Sequence, residues 1–239
     1  MTLDPAVVLD NWPLFAEGAW MTLRITATAF LGGLALATLV AALSFTPLLI
    51  IRLLVMVYLA VMRGVPFIIL LFLVHFGLPF AGVRLPALFT GTLALTLFAS
   101  AYYAEVIRAT ALALPRGQWD SARCIGMSPL QAVRHVIAPQ ILAPSIPPLT
   151  NYTMTMIKES SILSAITVGE LTYQGLIVQG NTFAPFEVFF AVAGIYWALT
   201  AAVARGARLV ERRLRDAEPT GMTGEALAAR YLSLEAAPR

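Results

Sequence analysis

Long apolar runs separated by short polar segments set the pattern of this chain. Residues 25–43 carry no charge, residues 48–80 are interrupted by Arg52, Arg63, Gly64 and Pro66, and residues 87–104 are again uncharged. Residues 141–168 are apolar but hold Pro144, Pro147 and Pro148 early and Lys158 and Glu159 late, and 188–204 form a last uncharged run. About 20 apolar residues suffice for one helical crossing of a bilayer. The runs therefore predict five spans, over about 20–43, 55–78, 87–108, 145–168 and 187–207. As a single helix the 48–80 run would be about 50 Å long, more than one crossing needs. Its first part reads as a helix lying at, or entering from, the inner interface. Gly32 and Gly33 suit close helix packing, and 169–185 reads as a polar outer loop.

The polar segment 114–140 stands out between the third and fourth spans. Residues 117–125 can make two helical turns, Gly126 interrupts them, and Ser128, Pro129 and Gln131 supply an N-cap, a first-turn proline and the N3 partner of a capping box. A second short helix is expected to end at Pro139. Trp119, Ala122 and Ile125 fall on one side of the first piece and Asp120 and Arg123 on another. Such a helix, glycine, helix unit suits the groove of a soluble partner; a plain surface loop is the other reading.

Composition confirms the class. With 59% hydrophobic and 12% charged residues in 239, the chain has about half the charge of a soluble domain. The pI near 9.3 does not point to nucleic acid, because the arginines lie between apolar runs, as positive-inside topology requires. The arm before Met21 has no Lys or Arg, which argues against a cleaved signal peptide. Arg116, Arg123 and Arg134 fall in the polar segment, and Arg205, Arg208, Arg212, Arg213 and Arg215 crowd the C-terminal stretch. Both regions are expected in the cytoplasm. The fold class that follows is an all-α integral membrane protein of one domain, 1–215, with five transmembrane helices and its N-terminus outside. Residues 216–239 are expected to be a partly disordered cytoplasmic tail.

Most catalytic chemistry is excluded. Lys158 is the sole lysine and follows no glycine-rich loop, so the chain has no phosphate-binding loop for ATP. His75 and His135 belong to no metal-binding pattern, the only cysteine is Cys124, and Gly126-Met127-Ser128 lacks the second glycine of a nucleophile elbow. No catalytic or metal-ligating residue is therefore assigned. Charge at the centre of a spanning helix costs about 2.5 to 3.5 kcal/mol, so Lys158 and Glu159 need a reason. At about 100° per residue, Asn151, Thr155, Lys158 and Glu159 share roughly a third of the helix circumference. They line a water-filled path, or else Lys158 and Glu159 snorkel at the outer interface or pair with Glu105, Arg63 or each other.

The segment from Asp120 to Pro139 resembles the EAA loop of bacterial ABC importer permeases. Asp120, Ser121 and Ala122 stand where that family has Glu-Ala-Ala, Gly126 matches its glycine, and Val136 and Pro139 match its closing positions. Asp for Glu, Ser for Ala, and Ala138 for Leu are departures. Arg63-Gly64-Val65-Pro66, Ala101-Tyr102-Tyr103-Ala104-Glu105, Pro147-Pro148-Leu149-Thr150-Asn151, Lys158-Glu159-Ser160-Ser161 and Gly169-Glu170-Leu171-Thr172 resemble, in order, motifs of the polar amino-acid permeases of the histidine, glutamine and arginine type. The resemblance implies a type I importer permease in a bacterial inner membrane. Its partners would be an ATPase dimer that binds ATP and Mg, a second permease subunit, identical or paralogous, and an extracytoplasmic solute-binding protein. It also implies that Asp120, Ser121, Ala122, Gly126 and Pro139 couple to the ATPase, that Arg63, Gly64, Pro66 and Glu105 are structural, and that Asn151, Thr155, Lys158 and Glu159 line the path. A channel or secondary carrier is the alternative. Amino acids, opines and compatible solutes all remain open as cargo.

Overall fold

The computed structural model describes residues 4–217, all helices and connections with no strand among them. Asn11 separates α1 (Ala6–Asp10) from α2 (Trp12–Ser44), its Nδ2 donating to the Val7 carbonyl at 2.9 Å. Next come α3 (Leu49–Gly64), α4 (Phe67–Phe80), α5 (Ala87–Ala113), α6 (Arg116–Cys124) and α7 (Pro129–Ala132). A π-helical turn (Val133–Ile137) leads into α8 (Ala138–Glu159), a 3-10 stretch (Ser160–Ile166), α9 (Leu171–Thr182) and α10 (Pro185–Ala217).

The centre of the fold is the pair α2 and α5, which run side by side in the same direction. A Cβ on Gly33 would lie 3.0 Å from that of Ala99, and one on Gly32 3.1 Å from Thr96 Cγ2, so the close packing expected of these glycines is present. Phe30 meets Tyr103 edge to face, with ring centroids 5.8 Å apart. A second apolar cluster of Phe15, Leu171, Val178, Val188 and Val192 ties the start of α2 to α9 and α10.

Among the described residues three single helices are long and apolar enough to span: α2, α5 and Pro185–Leu214 of α10. The second expected span is not one helix. It breaks at Val65 and Pro66, where both residues are extended (ψ 135° and 139°), and α4 turns 111° away from α3. Pro66 is the cause, since it disfavours the helical conformation in the residue before it. Tyr58 Oη donates to the Leu97 carbonyl at 3.0 Å, whereas Arg63, five residues on, reaches Glu105. α3 thus crosses α5 obliquely toward the polar segment. α4 then returns, with Phe67 on Phe98 and His75 Nδ1 2.8 Å from Thr90 Oγ1.

Two further expectations fail. No helix ends at Pro139; the π turn widens the helix just ahead of it, Gln140 Nε2 donates to the Val136 carbonyl at 2.7 Å, and α8 continues with Pro139 in its first turn. Residues 169–185 are not a loop either, because α9 occupies most of them, bent 52° from the preceding run. Residues 216 and 217 extend α10, and the rest of the expected tail lies outside the described residues.

The contact of α2 with α9 is close enough to test. A Cβ on Gly18 would stand 2.8 Å from Leu171 Cα, a backbone atom that cannot swing aside. Gly18→Ala is expected to cost about 1–3 kcal/mol of stability, read as a lower thermal unfolding midpoint in detergent. An unchanged midpoint would show that the two helices do not sit at this distance.

Candidate functional site

The polar segment is locally over-determined. α6 closes in a Schellman motif, with Gly126 N–H donating to the Arg123 carbonyl at 2.9 Å and Met127 N–H to the Ala122 carbonyl at 3.0 Å. Gly126 holds φ +78°, a conformation that strains any side chain even though the space around it is open. The predicted capping box is complete: Gln131 N–H donates to Ser128 Oγ at 3.4 Å and Ser128 N–H to Gln131 Oε1 at 2.8 Å. Across the segment, Gln140 Nε2 donates to Gln118 Oε1 at 3.1 Å.

Ala122 is buried against the rest of the protein, while Asp120, Ser121, Gly126 and Pro139 are exposed. Trp119 is half-buried beside Ala122, but Ile125 is 72% exposed because the helix has already ended there. Leu130 is 77% exposed. The segment therefore closes the turn between its two helices with its own hydrogen bonds and shows apolar side chains outward, the form of a surface that another protein covers.

A charged cluster sits where α3 crosses α5. Glu105 Oε1 accepts from Arg108 Nη2 at 2.6 Å, and Oε2 lies 3.2 Å from Arg108 Nε and 3.3 Å from Arg63 Nη1. The Arg63 guanidinium stands 5.9 Å from the centroid of the Tyr102 ring, which itself packs on Tyr152. Gly64 lies at the break with open space around it, and Pro66 begins α4. Glu105 and Arg108, three apart on α5, are thus paired, with Arg63 as a third member.

The polar stripe of α8 lies on the side of that helix opposite Thr153 and Met156. Thr153 and Met156 face the core, where Tyr103 Oη lies 2.8 Å from Thr153 Oγ1. On the other side Asn151 and Lys158 are exposed and Thr155 and Glu159 half-buried. Thr155 Oγ1 donates to the Asn151 carbonyl at 3.1 Å. No ion pair among the described residues joins Lys158 or Glu159 to Glu105 or Arg63. Tyr102 lies within electrostatic reach of both Arg63 and Glu159, so the stripe and the cluster are neighbours.

Sequence reasoning missed the role of Glu170. It is completely buried and caps α9: Oε1 accepts from Tyr173 N–H at 2.8 Å, and Oε2 from Thr172 N–H at 2.9 Å and Tyr196 Oη at 2.6 Å. Thr22 Oγ1 accepts from Leu171 N–H at 3.1 Å. An acidic residue directly before a helix is an N-cap signal, and its position after Gly169 could have revealed it.

The comparisons with known proteins agree with this architecture. Residues 33–216 match the family model for the binding-protein-dependent transport system inner membrane component. The probable glutamine ABC transporter permease protein GlnM of Bacillus subtilis is 34% identical over 212 residues, 89% of this chain and 98% of the relative. The L-cystine transport system permease protein TcyB of the same organism is 31% identical over 220 residues, 90% and 94% of the two chains. The crystal structure of an amino acid ABC transporter with histidines superposes with a TM-score of 0.82 at 37% identity, over 89% of this chain and 100% of that one. With its helical type I permease fold, and with the ATPase carried on a separate subunit in this family, the chain belongs to the inner membrane components of binding-protein-dependent transport systems, the permease subunits of ABC importers.

Proposed function

We propose that this permease carries a polar amino acid across a bacterial inner membrane, through five spans with the N-terminus outside and the 114–140 segment in the cytoplasm. The bent pair α3 and α4 would form the second span, and the 129–182 run the fourth. Three arginines in the 114–140 segment and at least four at the end of α10 support that orientation. The observation that carries the reading is the exposure of Ile125 and Leu130 on either side of a turn closed by its own hydrogen bonds. An ATPase subunit, one of a pair binding ATP and Mg, docks there on Asp120, Ser121 and Gly126, with the buried Ala122 seating α6 beneath them and Pro139 behind. A second permease subunit completes the pore and a solute-binding protein delivers the cargo.

Asn151, Thr155, Lys158 and Glu159 line the path, and Glu159 reads the amino group of the substrate by charge. The names of the relatives, glutamine and L-cystine carriers among them, support an amino acid. A charge-assisted hydrogen bond contributes about 1.5–3 kcal/mol, so Glu159→Gln is expected to lower uptake about tenfold or more while the ATPase still co-purifies. Uptake equal to wild type would reject this role. A secondary carrier is the competing mechanism, and uptake that persists without the ATPase subunit would favour it.

A further inference from the structure

The end of α2, one face of α3 and the end of α5 nearest the polar segment enclose an open cleft of about 840 Å³. Arg52, Val55, Met56, Leu59, Ala60 and Arg63 line it at i, i+3, i+4, i+7, i+8 and i+11, a single stripe of α3. Arg108 and Glu105 face them from α5, and Ser44 closes the end of α2. Three guanidinium groups thus meet one carboxylate. Arg63 and Arg108 share Glu105, and Arg52 has no ion pair among the described residues. Beside the cleft, Ile50, Leu53, Leu54 and Val57 of α3 are 47–73% exposed.

We propose that this cleft binds the headgroup of an anionic phospholipid. The phosphate takes the unpaired donors of Arg52, the net positive cluster of Arg63, Arg108 and Glu105 adds charge farther along the stripe, and the first acyl carbons cover Met56 and the bare side of α3. A small soluble anion would satisfy the arginines but leave Met56 and the bare side of α3 uncovered. Basic pockets between membrane helices on the cytoplasmic side attract such headgroups. The assignment rests on the coupling end facing the cytoplasm, as proposed above.

The permease purified with its ATPase subunit, in micelles of equal phosphatidylglycerol and phosphatidylcholine, provides the test by native mass spectrometry. Phosphatidylglycerol is expected to be retained about fivefold over phosphatidylcholine or better, and Arg52→Gln to remove most of that preference without loss of the ATPase. Equal retention of the two lipids, or an unchanged preference in Arg52→Gln, overturns the proposal. So does displacement of the lipid by millimolar glycerol phosphate or glutamine, which would make the cleft a soluble-anion or substrate site. Orientation is read separately from Arg52→Cys in a Cys124→Ser background. Labelling only from outside would overturn the topology and the assignment together. Labelling from inside without a lipid preference would overturn the cleft alone.

Discussion

Glu170→Ala is expected to leave little folded permease. Its carboxylate is the acceptor for three donors, the Thr172 and Tyr173 N–H groups and the Tyr196 hydroxyl. Stranding a buried donor costs about 1–3 kcal/mol, and three together approach the lower end of total domain stability, about 5 kcal/mol. The site also cannot rehydrate easily, because Glu170 is completely buried. Yield of monodisperse protein and the unfolding midpoint in detergent measure the effect. Glu170→Gln keeps one acceptor oxygen and is expected to fall between alanine and wild type. Alanine protein as stable as wild type would mean that α9 is held by its apolar contacts alone.

The second large effect is expected in coupling, at Gly126→Val. A left-handed backbone costs an L-residue about 1–2 kcal/mol, more for a branched side chain, and here that residue ends α6 and sets the path into the Ser128 cap. The variant is expected to lose at least about tenfold of its uptake, with ATPase binding weakened in parallel. Gly126→Asn tolerates the conformation and is the control: it should keep most of the uptake. If valine and asparagine behave alike, side-chain bulk in the docking surface, not backbone geometry, sets the coupling. Were both as active as wild type, the segment would not carry force from the ATPase.

Much of this molecule was legible in its sequence because its strongest signals are local. The Ser128 and Gln131 capping box, the interruption at Gly126 and the Glu105 to Arg108 pair all arise from residues within a few positions of one another. So do the uncharged runs that became α2, α5 and α10. What was not legible depends on distant partners. Pro139 reads as a terminator, yet a π turn supplied by the preceding residues lets the helix pass it. Residues 169–185 are polar and glycine-bearing, which suggests a loop; only the burial of Glu170 against Thr22 and Tyr196 explains why a helix starts there. Ile125 belongs by spacing with Ala122, but the Schellman motif ends the helix before it can turn inward. The 111° break at Val65 and Pro66 was signalled by the proline, though the oblique course of α3 across α5 needed the Tyr58 and Arg63 contacts to appear.

Under the docking proposed above, the π turn before Pro139 decides where mechanical work arriving at Leu130 would be delivered. From Pro129 to Ile166 the chain is helical without a break, a rod of roughly 55 Å. No flexible joint lies along it to dissipate a push. Its softest places are the π turn, where the hydrogen-bond register shifts, and Pro144, Pro147 and Pro148 inside α8, which lack an N–H to donate. A displacement at one end would therefore be spent as twist in that compliant stretch and emerge as rotation of Asn151, Thr155 and Glu159, not as a straight stroke.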